Sequence, residues 1–159
     1  MHLRLICDAT GLNSVAVGGT TNLASGENSS TVGGTTNLSE GLNSFTLGGS
    51  TNYVYGVNSC VLGGSSANTV SKDNSGIIGG TTNTVLLYNS VDLAGVTNIV
   101  DGNNAGILSG TFNETKNLNA TVSGGTTNFA YGLNSGIMGG NTNVANVANS
   151  TVIGGSTNH

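Results

Sequence analysis

"NSVAVGGTTNLASGE", Asn13 to Glu27, is followed without a gap by "NSSTVGGTTNLSEGL", Asn28 to Leu42. The two copies keep their asparagines and glycines while the apolar residues drift. Followed along the chain, the second glycine of each pair marks a period: Gly19, Gly34, Gly49, Gly64, Gly80, Gly95, Gly110, Gly125, Gly140 and Gly155. Every step is 15 residues except one of 16, where "GGSSANT" (Gly63–Thr69) carries an extra residue near Ala67. The unit is N-S-x-φ-φ-G-G-T-T-N-x-A-x-G-x, with φ an apolar residue, and ten copies reach His159. Its residues are numbered below as positions one to fifteen.

Fifteen residues are too few for a pair of helices, and no 3.6-residue period is present. They suit one coil of a β-solenoid, whose perimeter at about 3.3 Å per residue is near 50 Å, enough for two short strands and two turns. Glycine and asparagine mark the turns, because both tolerate positive φ at low cost. Coils stacked about 4.8 Å apart bring identical side chains into register, so each asparagine amide can bond to its own copy in the next coil. Two columns are invariant: Asn13, Asn28, Asn43, Asn58, Asn74, Asn89, Asn104, Asn119, Asn134 and Asn149 at position one, and Asn22, Asn37, Asn52, Asn68, Asn83, Asn98, Asn113, Asn128, Asn143 and Asn158 at position ten. These are predicted to be structural asparagine ladders, in an all-β fold of about ten coils spanning 12–159, with 1–11 as an N-terminal partial coil or cap.

Composition agrees with a folded repeat. The 159 residues include 27 Gly and no Pro or Trp, with 6% charged and 36% hydrophobic residues and a net charge of −4. Disordered chains combine low hydrophobicity with high net charge, and their glycines are not periodic. Three basic residues, Arg4, Lys72 and Lys116, cannot track a phosphate backbone, which excludes nucleic acid as a partner. No apolar run approaches the roughly 18 residues of a membrane span, so no membrane insertion is expected. The start, "MHLRLICDATG", has too short an apolar stretch for a secretory signal. Cys7 and Cys60 share no metal or redox spacing and fall in different columns, so they read as two buried small thiols.

Alternation along a strand assigns faces. Position five is apolar in all coils but one (Val17, Val32, Leu47, Leu62, Ile78, Leu93, Leu108, Met138, Ile153, with Ser123 the exception) and is expected to fill the core against Ala and Val at position twelve. Position four then points outward, yet it too is mostly apolar, from Ala16 through Val61, Ile77 and Ile107 to Val152. A strand apolar on both faces is buried on both, so position four is expected to pack against neighbouring chains, as a side-by-side trimer. Asp92 interrupts that column. In a trimer three copies of it would converge near the axis and need a cation or shared protons; otherwise it marks a local opening to water.

The stretch "NSVAVGGTTNLASG" resembles the head repeats of YadA-like trimeric autotransporter adhesins, in a 15-residue variant of the family's usual 14-residue unit. The likeness runs from about Leu12 to His159 and implies a left-handed β-roll, three chains side by side and an adhesive role at a surface. An extracellular, cell-surface or virion-surface location follows from it.

No catalytic, cofactor-binding or metal-ligating set stands out. His2 and His159 sit at opposite ends, and no serine has a histidine and a carboxylate placed to activate it. "GG" followed by "TTN" lacks the lysine and the helix of a phosphate loop, so it reads as a tight turn. Ranked threonines at positions eight and nine bring an ice-binding protein to mind, but adjacent threonines after GG belong to a turn rather than to one strand face. The sequons at Asn28, Asn37, Asn113, Asn119 and Asn149 are all ladder asparagines. Tyr53, Tyr55, Phe129 and Tyr131, at positions eleven and thirteen, are the candidate contact aromatics for a cell-surface or matrix ligand.

Two functions compete: an adhesive or structural surface fibre module, and an axially self-assembling filament subunit whose strand edges recruit the next copy. Neither is an enzyme.

Overall fold

The computed structural model describes residues 6–159, so the first five residues of the expected cap, including His2 and Arg4, lie outside the described residues. The described chain is all-β and contains no helix. Each of the first nine coils contributes one strand to each of two ten-stranded parallel sheets; the partial coil before Asn13 adds a strand to the first sheet and the tenth coil adds one to the second. The first sheet runs from Cys7–Ala9 through Asn22–Ala24 to Val144–Ala145, and the second from Val15–Val17 through Ser30–Val32 to Thr151–Val152. Strand partners lie one repeat apart, as in Val15↔Ser30 and Phe129↔Val144, which makes the chain a β-solenoid of about ten coils.

The phase of the second sheet differs from the expectation. Position four is the inward column: Thr31, Thr46, Val61, Ile77, Asp92, Ile107, Val122 and Ile137 are all buried. They pack against Ala24, Val54, Val70, Val85, Val100, Ala130 and Ala145 at position twelve. Position five faces outward, and Leu47, Ile78, Leu93, Leu108 and Met138 are 39 to 61% exposed. A slip of one residue moves a whole column to the other face, and two adjacent apolar columns gave the sequence no means to choose. The outward pointing of position four, which motivated the trimer, is therefore corrected: that column is satisfied within one chain. Ser123 is likewise an exposed residue, not a core one.

Both asparagine columns recur in every coil because they do different work. Position one is exposed, and its amides bond coil to coil, as in Asn13 Nδ2 to Asn28 Oδ1 at 3.2 Å and Asn43 Nδ2 to Asn58 Oδ1 at 2.9 Å. Its backbone is also left-handed in every coil, with φ between 52° and 60°, a conformation asparagine tolerates better than most residues. Position ten is buried and serves mainly the backbone. Asn22 Oδ1 accepts from the Asn37 N–H at 3.0 Å, while its Nδ2 donates to the carbonyls of Gly18 and Gly33 at 2.9 and 3.0 Å. These bonds close the Gly-Gly corner, whose position-six carbonyls have no backbone partner. Cys7 stands at position ten of the first strand and takes the same part, its Sγ–H donating to the Gly18 carbonyl at 2.9 Å.

The position-two serines of coils four to six form a third ladder at the opposite corner. Ser59 Oγ accepts from the Ser75 N–H at 3.1 Å and donates to the Lys72 carbonyl at 3.0 Å, and Ser75 and Ser90 repeat the pattern.

The extra residue of the fourth coil is a bulge. The Ser65 N–H donates to the Gly80 carbonyl at 2.9 Å, while the Ser66 carbonyl accepts from Thr82 at 2.7 Å. One residue, such as Thr35, performs both tasks in other coils. Two residues thus oppose one; the bridge series of this corner skips the step from Ser50 to Ser66 and resumes at Ser66↔Thr81, and the Asn68 N–H to Asn52 Oδ1 bond lengthens to 3.4 Å.

The Gly-Gly corner itself takes two forms. In the first five coils both glycines have positive φ, and in coils two to five the N–H at position six donates to the carbonyl one coil back, as Gly33 does to Val17 at 2.7 Å. From the sixth coil position six leaves the left-handed region. Ala94 is the first non-glycine at that position. Alanine is strained at φ near +70°, and the later coils, Gly124 and Gly139 included, follow the shape on which they stack.

Candidate functional site

On the outer face of the first sheet, positions eleven and thirteen carry side chains that stacking leaves free. Tyr53 and Tyr55 stack there with ring centroids 6.2 Å apart and planes 4° from parallel. Phe129 and Tyr131 form a second pair, 5.5 Å apart and tilted by 42°. The pairs belong to coils three and eight, about 24 Å apart at the usual strand spacing, so the four aromatics share a face and not a site.

The richer surface surrounds the second pair. A cleft of about 320 Å³ is lined by Thr97, Ile99, Phe112, Asn113, Glu114, Thr127 and Phe129. Phe112 stands in the threonine column with φ 55° and is 55% exposed. Glu114 Oε2 accepts a hydrogen bond from the Tyr131 hydroxyl at 2.5 Å, and its Oε1 lies 3.6 Å from Lys116 Nζ. Lys116 also sits over the Tyr131 ring at 5.2 Å. Burial, then the bond to Glu114 and its charge, raise the Tyr131 pKa, so this phenol remains a neutral donor. The cluster offers aromatic faces, hydroxyls and one carboxylate, which is the chemistry of a contact surface.

Sequence reasoning missed Phe112, Glu114 and Lys116. A signal was present, since residues 112–117 depart from the repeat almost continuously: Phe replaces Thr, Glu and Lys appear, and Asn117 replaces glycine.

Asp92 is fully buried in the core of the sixth coil, between the apolar layers of Ile77 and Ile107. It lies neither at an axis between chains nor in an opening to water. Its Oδ1 accepts from the Ala94 N–H at 3.2 Å, and Oδ2 finds no partner among the described residues. Among the described residues, no group of three His, Cys, Asp or Glu is placed to hold a metal ion. Cys7 and Cys60 are free thiols, half-buried and on different faces.

The threonine columns lie at the corner between the sheets. Position eight makes isolated bridges such as Thr20↔Thr35, and position nine is left-handed throughout, with φ between 50° and 60°. Val96, Ala67 and Phe112 interrupt them, so no continuous threonine face forms. Of the sequon asparagines, Asn37 and Asn113 are about 1% exposed. Asn28 and Asn119 are exposed but engaged in the ladder, at 3.2 and 2.8 Å. No protein-family model matches the chain, and no curated protein sequence does.

Proposed function

We propose that this chain is a non-enzymatic structural or adhesive module of an extracellular, cell-surface or virion-surface fibre. It acts as a rigid rod whose outer face meets a cell or matrix ligand. The observation that carries this reading is a division of labour among positions. Asparagine, serine and glycine columns are consumed by stacking, while one cluster of departures from the unit, around Phe112, Glu114, Lys116, Phe129 and Tyr131, stands free on an outer face. With position four buried within the chain, position five is the apolar column left for neighbours in a side-by-side oligomer. A trimer is the arrangement the repeat's resemblance favours.

Particle mass and shape over a concentration series test the reading, by light scattering and negative-stain microscopy. Discrete rods about 50 Å long, the height of ten coils at the usual spacing, support it. Filaments that lengthen with concentration favour the self-assembling alternative. Binding of coated beads to immobilised glycans and matrix proteins tests adhesion, and is expected to be lost in a Phe112→Ala, Phe129→Ala, Tyr131→Ala variant.

A further inference from the structure

We infer that the outer surface of the second sheet is the face through which two copies of this chain pair. The inference rests on the rod reading above and names the surface of its self-association, with a two-fold pair in place of the trimer that the repeat's resemblance favours.

The face is defined by positions one, three and five. Over ten coils these columns contain no charged residue. Apart from buried Asp92, every described charged side chain lies at positions eleven to fifteen: Asp8, Glu27, Glu40, Lys72, Asp73, Asp101, Glu114 and Lys116. A solenoid needing only solubility would spread its few charges over both faces. Here one face is left uncharged along its whole length, and its position-five column, apolar except at Ser123, has Leu47, Ile78, Leu108 and Met138 standing proud of the sheet. An exposed apolar stripe rimmed by asparagines marks a protein contact.

Size and relief fit a second copy. Ten coils, each presenting positions one to five from the turn asparagine to the end of the strand, give a face of roughly 48 by 17 Å, on the order of 800 Å², about what each partner buries in a standard-sized interface. Glycines at position three, Gly76, Gly106 and Gly136, leave hollows beside bulkier neighbours. One hollow of about 370 Å³ is bounded by Cys60, Gly76, Ile78 and Val91, with Asn74 and Asn89 at its rim. Branched side chains at position five of a facing sheet have the size to enter it, and sheets packed face to face lie about 10 Å apart.

The same facts select a two-fold axis. A ring of three heterologous contacts needs two different complementary surfaces on each chain. The outer face of the first sheet carries Glu40, Asp101, Glu114 and Lys116 and does not mate with an uncharged apolar sheet without stranding those charges. An isologous pair needs one self-complementary face, and the chain has one.

Sedimentation equilibrium on the intact chain, with Ile78→Lys/Leu108→Lys, Ser123→Lys and Ile99→Lys variants, tests the pairing. We expect twice the 15.7 kDa chain mass for the wild type and for Ile99→Lys, on the other sheet. Ile78→Lys/Leu108→Lys is expected to be monomeric with an unchanged circular dichroism spectrum. Ser123→Lys, which removes no apolar side chain, is expected to weaken pairing at least tenfold. A three-chain mass, or a pair that survives both the double variant and Ser123→Lys, overturns the inference. Monomeric wild-type rods overturn the pairing and leave the rod reading standing. Long filaments indifferent to the lysine substitutions overturn both.

Discussion

The N–H of Ala94 donates to Oδ1 of Asp92 at 3.2 Å, in the coil where the Gly-Gly corner changes form. In earlier coils the position-six N–H bonds to a carbonyl one coil back, as Gly48 does to Val32 at 2.7 Å. In the sixth coil the partner of that N–H is a buried carboxylate. The aspartate thus compensates locally for the lost corner bond, yet it places a titratable group in an apolar column.

A pH dependence follows from that burial. Desolvation pushes the Asp92 carboxyl from 3.8 up to about 7, opposed in part by the Ala94 N–H and the Asn98 amide. The folded chain therefore holds this proton more tightly than the unfolded chain does. The resulting stability is full below about pH 4 and is lost as pH rises toward about 7; at about 1.4 kcal/mol per pKa unit it is roughly 4 kcal/mol at most. The melting temperature of the wild type is expected to fall across that window and then level. Asp92→Asn should flatten the profile. Asp92→Val, which restores the column, should stabilise the chain at pH 7.5 by about 2–4 kcal/mol. A wild-type melting temperature that rises with pH across the window would show that the carboxylate is better solvated than its burial indicates.

The two asparagine columns should differ sharply in what they contribute. Asn83 Oδ1 accepts from the Asn98 N–H at 3.0 Å and its Nδ2 donates to the Gly95 carbonyl at 3.1 Å, all in a buried setting. Asn83→Ala orphans the Asn98 N–H, at about 1–3 kcal/mol, and empties a buried site, while the Gly95 carbonyl keeps its bond from the Thr81 N–H at 2.9 Å, so a loss of about 2–3 kcal/mol is expected in urea denaturation. Asn74 is exposed, its ladder bond to Asn89 is 3.3 Å long, and water can replace it. Its backbone sits at φ 56°, so Asn74→Ala is expected to cost about 1–2 kcal/mol in left-handed strain and Asn74→Gly much less. Equal losses for Asn83→Ala and Asn74→Ala would contradict the assignment of the two ladders.

The solenoid, its period, the strand pairing and the position-one amide ladder were all legible in the sequence, because stacking forces each coil to repeat the requirements of the last. Periodic residues report on their own environment. What failed was the phase of the strand holding Val61 and Leu62. Both neighbours are apolar, and burial alone distinguishes them: Val61 is buried while Leu62 is half-exposed. Two apolar columns are needed whether the second meets the core or another chain, so pattern alone does not order them. The contact cluster at Phe112, Glu114 and Tyr131 was half-seen for a different reason. Its residues come from two successive coils, and the sequence shows each as an isolated departure from the unit. Only the parallel register of Glu114 with Phe129 brings them together.

The bulge offers a test of how independent the coils are. Ser65 supplies the N–H, and Ser66 the carbonyl, that one residue supplies elsewhere. Deleting Ser65 returns the coil to 15 residues with Ser66 available for both bonds. The deletion is expected to leave the fold intact and stability within about 1 kcal/mol of wild type, since it removes an irregularity at the cost of one exposed hydroxyl bond, between Ser65 and Thr81. Deleting Thr81, the equivalent residue of the next coil, leaves the N–H and carbonyl partners of that coil unmatched and is expected to unfold several coils. Chemical denaturation of both deletions checks the pair, and a Ser65 deletion as damaging as the Thr81 deletion would assign the bulge a role in stability.

Glycine substitutions at the corner separate backbone strain from steric closeness. At position seven, a Cβ on Gly34 would lie 2.2 Å from the Gly49 carbonyl oxygen and 2.5 Å from Asn37 Nδ2, with φ already at +81°. Neither neighbour can retreat, because both belong to the buried ladder, so Gly34→Ala is expected to lose at least about 3 kcal/mol. At position six, Gly33 has no described atom within 4 Å of its Cβ site but sits at φ +70°. Gly33→Ala therefore carries conformational strain alone, about 1–2 kcal/mol. Gly139 occupies the same position in the second form of the corner, equally open and outside the left-handed region. Gly139→Ala is expected to stabilise by about 0.4–1 kcal/mol, by restricting the unfolded chain. The first coil of this form already carries alanine at that place, Ala94. Melting curves for the three variants should rank Gly139→Ala above wild type, Gly33→Ala below it and Gly34→Ala far below. A destabilised Gly139→Ala would mean that the change of corner between the two halves of the solenoid does not have the backbone origin assigned to it.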